Sequence, residues 1–133
     1  ILKGTFRTMD ETWREEALNL LSYQIESIVS THGGKVELDI SRGYPCVMND
    51  ENITNELAIK AASILGQEKV HELPIRLTSE DFAYYSQIIP ACFFRLGVRN
   101  EDKGIVYSVH HPRFDIDSEA LKIGMQLMSA ACF

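Results

Sequence analysis

Four histidines, His32, His71, His110 and His111, are the side chains best suited by type to metal chemistry in this 133-residue sequence. A protein metal site needs several His, Cys, Asp or Glu groups converging on one point. No local motif pairs the histidines, because neither HExxH nor CxxC occurs. His110 and His111 are adjacent, so at the end of an extended strand their side chains point opposite ways. One of them can look into a cleft while the other faces away. His32 follows an amphipathic stretch and suits the negative end of a helix dipole. For His71 only a strand position is legible. Gly-x-Ser-x-Gly, GxGxxG and Walker patterns are all absent, so neither a nucleophile elbow nor a phosphate loop is supported. Arg7 sits beside Thr5 on an exposed strand face, where a guanidinium fork suits a carboxylate and equally suits plain solvation. Glu80–Asp81 opens a short helical stretch, where carboxylates favour the dipole whether or not they do anything else.

The elements that must position these groups follow from periodicity. Residues 3–8 read as a short strand, with Phe6 on one face and Thr5 and Arg7 on the other. A helix then runs from about Asp10 to Gly33–Gly34. Trp13, Ala17, Leu18, Leu21, Ile25 and Ile28 form its apolar face, and Thr12 with Glu15 has capping-box spacing. Val36, Leu38 and Ile40 alternate with polar residues as a half-buried strand. A turn-rich stretch holds the best domain boundary, near residue 48. A second helix covers about 53–65. Strands are expected at 70–77, 91–98 and 105–109, a short helix at about 79–87, and a last helix from about Asp117. Helices alternating with strands predict an α/β (α+β) class, with sheets covered by helices.

Composition narrows the function classes. Thirteen Lys and Arg against nineteen Asp and Glu give a formal charge of −6, and the basic residues are scattered among the acidic ones. Nucleic-acid binding, which needs clustered cations, is not expected. No apolar run approaches the roughly 18 residues of a membrane span, so no membrane role is expected. Cys46, Cys92 and Cys132 are odd in number and far apart, which suits buried small apolar residues in a reducing compartment. The chain starts at Ile1 with no basic segment leading into an apolar one, so no signal peptide is visible and a processed or excised piece is expected.

Four separated stretches carry a family resemblance. They are Gly4-Thr5-Phe6-Arg7-Thr8, Tyr44-Pro45 with Asn49-Asp50, Ser79 to Tyr85 (SEDFAYY), and His110 to Asp117 (HHPRFDID) with Glu119-Ala120-Leu121. In this order the sequence resembles the C-terminal part of the M20 metallopeptidase family. Within that family it is most similar to the amidohydrolases that cleave N-acyl and indole-acetyl amino acids, including hippurate hydrolases. The resemblance implies a catalytic α/β domain with two divalent metals, zinc or manganese, and a smaller inserted lid domain that commonly dimerises. Residues 1–47 would be the second half of the lid, and 48–133 the C-terminal part of the catalytic domain. It also implies that His110 is a metal ligand and that His111 is neighbouring surface. Arg7 would face the substrate carboxylate, Asn49 would be a weaker candidate for the same cleft, and Glu80 and Asp81 would shape it. Ser79 stands where this branch often has glycine.

The family's remaining ligands, a Cys-Gly-His-Asp stretch, a glutamate pair and a further histidine, are not in this sequence, and neither is the general-base glutamate. A two-metal hydrolase polarises the carbonyl and acidifies the attacking water, which one histidine cannot achieve. The resemblance therefore implies part of a metal-dependent amidohydrolase acting on acyl-amino acids or small peptides. This chain would hold no catalytic residue, no stoichiometric metal and no activity of its own. The alternative is a non-enzymatic dimerisation or regulatory module of the same fold. Self-association through the lid half and a cytoplasmic location are expected.

Overall fold

The computed structural model describes residues 1–132. These residues group into two compact units. The first comprises Ile1–Met48 and Pro74–Ile89; the second comprises Asn49–Leu73 and the described residues from Pro90 onward.

In the first unit, helix α1 spans Glu11–Thr31. Its cap is Asp10, whose carboxylate accepts the Trp13 N–H at 2.8 Å. This corrects the expected Thr12–Glu15 capping box. Glu15 instead accepts both arms of Arg42, Nε and Nη2, at 2.7 Å each, and that bidentate bond lowers the Glu15 pKa and raises that of Arg42. The helix ends as its glycines foretell. Gly33 adopts φ 71°, its N–H reaches Ser30 O, and Gly34 N–H reaches Val29 O. This paired closure at a left-handed glycine is the Schellman motif. His32 is the C-cap. The apolar face of α1 is only partly covered by the described residues: Ala17, Leu18 and Ile25 are half-buried, while Trp13 is 51%, Leu21 44% and Ile28 58% exposed.

Segment 74–89 belongs to this first unit. Its short helix α2, Ala83–Ser86, carries Ala83, which is fully buried. Gln87 Nε2 donates to Cys46 O at 2.9 Å and Met48 N donates to Ser86 Oγ at 3.2 Å. The Tyr44 and Tyr84 rings meet edge-on at 5.8 Å.

In the second unit, helix α3 spans Glu51–Leu65, capped by the Asp50 carboxylate on Ile53 N–H at 3.0 Å. A single 3₁₀ turn follows at Gln67–Lys69. Helix α4, Glu119–Ala131, packs on α3 and buries Ala120 and Leu127. Gly124 lets Leu96 approach, since a Cβ there would stand 3.1 Å from Leu96 Cδ2. Leu121 and Met128 on the same helix are 56% and 57% exposed.

The five expected strands differ from what is observed. Among the described residues 3–8, 36–41, 70–77 and 91–98 form no ladder, and 105–109 enters one only through the isolated antiparallel bridge Asn100–Ile105. Alternation reports which faces of a segment are apolar, whereas a strand also needs a neighbour to accept its N–H and C=O groups. Ala83, Ala120 and Leu127 are the buried hydrophobic residues among those described. No described helix is long and apolar enough to cross a membrane.

Candidate functional site

The residues that could do chemistry fall in both units. In the first, Arg7 donates through Nη1 to the Leu77 carbonyl, which leaves the rest of its fork without a hydrogen bond among the described residues. The 80–85 stretch is held by backbone turns, with Ala83 N–H on Glu80 O at 3.2 Å and Tyr84 N–H on Asp81 O at 3.1 Å. Cys46 is half-buried. Burial, seconded by the neighbouring Glu11, pushes its thiol pKa up, so it is a poor nucleophile. Cys92 is half-buried and Cys132 exposed, a correction to the expectation that all three are buried. None of the three is in a disulfide.

In the second unit, Asn49 works as a local strand mimic. Its Nδ2 donates to Phe93 O at 3.0 Å and its Oδ1 accepts Phe93 N–H at 2.8 Å, beside Asp50 N–H on Ala91 O at 2.8 Å. The amide therefore joins the start of α3 to the extended 91–98 segment.

His110 is the conformational exception. It is the one non-glycine residue at positive φ, 70°, among those described. The His111 N–H closes on Ser108 O at 3.1 Å, which makes 108–111 a β-turn with His110 third. With Val109 at negative φ, this is the type II pattern, whose third position usually goes to glycine. A left-handed histidine costs on the order of 1 kcal/mol, and such strain collects at functional positions. The His110 side chain is exposed, and its ring nitrogens make no hydrogen bond among the described residues. An exposed imidazole of this kind has the chemistry of a single ligand to a divalent metal ion. Among the described residues, however, no three His, Cys, Asp or Glu groups converge. Among the described residues His110 is thus a candidate donor outside any assembled cluster.

Sequence reasoning missed what surrounds this turn. The His111 ring stacks on Tyr107 at 4.3 Å and 11°, and Arg113 lies over the same Tyr107 ring at 4.2 Å. The signal was the spacing of Tyr107, His111 and Arg113 by even numbers of residues, which on an extended chain share one face. The base of the loop is tied at Asp117. This carboxylate accepts Asn100 Nδ2 at 2.5 Å and Lys103 Nζ at 2.6 Å, while its N–H donates to Val98 O at 2.9 Å. Asn100 and Ile105 exchange both backbone hydrogen bonds across a turn with Gly104 at φ 70°. The ends of the 106–116 loop are thereby held together at the start of α4.

Lys103, then Asn100, hold the Asp117 pKa at about 2, below the ordinary 3.8. A depressed carboxylate contributes stability above its unfolded pKa and loses it as pH falls through the folded one. The thermal midpoint is therefore expected to fall between about pH 4 and pH 2 more steeply in the native protein than in Asp117→Asn. Equal slopes in a pH series of thermal melts would contradict this role.

Residues 4–132 match the family described as Peptidase family M20/M25/M40. Among curated relatives, the chain is 34% identical over 131 residues to the protein named "Putative amidohydrolase YhaA" of Bacillus subtilis (strain 168), covering 98% of this chain and 33% of that protein. It is 33% identical over 124 residues to thermostable carboxypeptidase 2 of Saccharolobus solfataricus, covering 92% of this chain and 31% of that one. It is 38% identical over 87 residues to the IAA-amino acid hydrolase ILR1-like 6 of Arabidopsis thaliana, covering 65% of this chain and 19% of that one. The chain spans about one third of the length of the first two of these relatives. No solved structure matches it significantly.

Proposed function

Because the chain belongs to peptidase family M20/M25/M40, we propose that it is the C-terminal part of a metal-dependent amidohydrolase. The substrate is an N-acyl amino acid or small peptide, whose amide adjoins a free carboxylate. The observation that carries this reading is the family match over residues 4–132. The relatives' names point the same way. A carboxypeptidase and an amino acid conjugate hydrolase both cut an amide next to a carboxylate.

In this reading each residue has one task. His110 supplies one imidazole to a divalent metal, zinc or manganese, whose other ligands lie in the remaining length of the protein. Such a metal, when bound, polarises the amide carbonyl and acidifies water. Arg7 binds the substrate carboxylate through its free donors, where a planar fork matches two oxygens. Asn49 keeps the start of α3 against 91–98 and is a weaker candidate for binding substrate, while Glu80 and Asp81 have a shaping role. Residues 1–47 belong to the lid and 48–133 to the catalytic domain. The extended segments 36–41 and 91–98 are sheet strands whose neighbours lie in the rest of the protein. The exposed part of the apolar face of α1 supports a covering partner, a second lid among them.

The test is an assay of the full-length protein with acetyl-, benzoyl- and indole-acetyl amino acids and dipeptides, loaded with manganese or zinc. Turnover of at least one carboxylate-bearing substrate is expected, with none from the 133-residue chain alone. A metal-loaded full-length protein inert toward the whole panel would overturn the proposal.

A further inference from the structure

The left-handed conformation of His110 requires something to hold it, since nothing in a histidine favours φ 70° over the ordinary right-handed or extended regions. Its own side chain makes no hydrogen bond among the described residues. The next residue makes three hydrogen bonds and a ring stack. The His111 N–H closes the first turn on Ser108 O at 3.1 Å, and the His111 carbonyl opens a second turn by accepting Phe114 N–H at 2.9 Å. Pro112 stands second in that second turn, the position its fixed φ favours. Within the second turn His111 Nδ1 accepts the Arg113 N–H at 3.1 Å. That bond spans two residues, as the side chain of an asparagine or aspartate does when it mimics a turn. The stack on Tyr107, with planes 11° apart, fixes the ring rotation and so keeps Nδ1 aimed at that N–H. Arg113, which donates the N–H, also places its guanidinium over Tyr107.

We propose that His111 is a positioning residue. By bracing the second turn through Nδ1 and resting its ring on Tyr107, at the junction its backbone makes between the two turns, it holds His110 in the left-handed conformation and so presents the His110 imidazole. This rests on the reading of His110 as a metal ligand. The residue assigned to neighbouring surface by its sequence position thus becomes the support of its neighbour. Outer supports of this kind typically change metal affinity about 10- to 100-fold when removed. The constraint is a hydrogen-bond acceptor on a fixed plane, so bulk alone does not replace it.

The experiment measures zinc affinity of the full-length protein by competition with a chelator at constant pH, alongside the thermal midpoint of each metal-free variant. His111→Leu keeps the bulk without the acceptor and is expected to weaken zinc binding by about tenfold or more. His111→Asn, whose Oδ1 reproduces the acceptor two residues before the Arg113 N–H, is expected to return affinity to within about threefold of the native protein. Both should melt close to the native metal-free protein. Should the leucine variant not fold, His111→Phe, which keeps the stacked ring without Nδ1, replaces it with the same expected loss. His110→Ala is the reference and is expected to lose at least as much affinity as His111→Leu. Native affinity in the variant lacking the acceptor, with affinity lost in His110→Ala, would overturn the positioning role and leave the ligand reading standing. Unchanged affinity in His110→Ala itself would overturn the ligand reading and the positioning role with it. Equal losses in His111→Leu and His111→Asn would also overturn the proposal, because the acceptor would then be irrelevant.

Discussion

His110→Ala in the full-length protein is expected to lower kcat/KM toward an N-acyl amino acid by about a thousandfold. A hydrolytic metal supplies several kcal/mol of transition-state stabilisation, and each factor of ten in rate corresponds to about 1.4 kcal/mol. Loss of a ligand should remove most of that. The loss should appear in kcat, because the stabilisation acts on charge that develops during reaction rather than on the bound substrate. The substitution is also clean structurally. The His110 side chain is exposed and its ring carries no hydrogen bond among the described residues, so little packing is removed. Alanine retains the cost of the left-handed backbone, and the variant should therefore melt near the native temperature. Native-like turnover by a correctly folded His110→Ala protein would remove this residue from the site.

Arg7→Ala is expected to lower kcat/KM by about a hundredfold, chiefly through KM. Hydrogen bonds to a charged group contribute about 1.5–3 kcal/mol, and a carboxylate remote from the scissile bond is held equally in the ground and transition states. Arg7→Lys should recover only part of the loss, because an ammonium cannot form the two parallel bonds of a guanidinium. The decisive control is a substrate whose carboxylate is converted to a neutral amide. Native enzyme should be poor on it, and Arg7→Ala should be no worse. Arg7 also donates to the Leu77 carbonyl, so a purely structural role predicts equal losses on both substrates. That result, or a loss confined to kcat, would place Arg7 outside the carboxylate pocket.

Much of the local architecture was legible in residue order. The glycine pair after α1 is short-range chemistry, satisfied by bonds within a few residues of the helix end. The polar turn before Ile105 was equally readable, because Asn100 and Gly104 carry the turn chemistry themselves. The choice of cap was not. Thr12 and Glu15 have capping-box spacing, yet Arg42, 27 residues further on, takes Glu15. The expected strands form no ladder among the described residues for a similar reason. Val36, Leu38 and Ile40 do alternate, but pairing depends on a neighbour that alternation cannot supply.

The family was determined by the sequence alone, since four motifs in order survive without any knowledge of contacts. The helix limits were also its own, because they depend on nearest neighbours. Only the folded chain decided that His110 sits at a left-handed turn, that His111 leans on Tyr107 beneath Arg113, that Asn49 spends its amide on Phe93, and that Asp117 ties a hairpin to α4. Those outcomes depend on atoms brought within about 3–4 Å of one another, where hydrogen-bond geometry and ring stacking set the result.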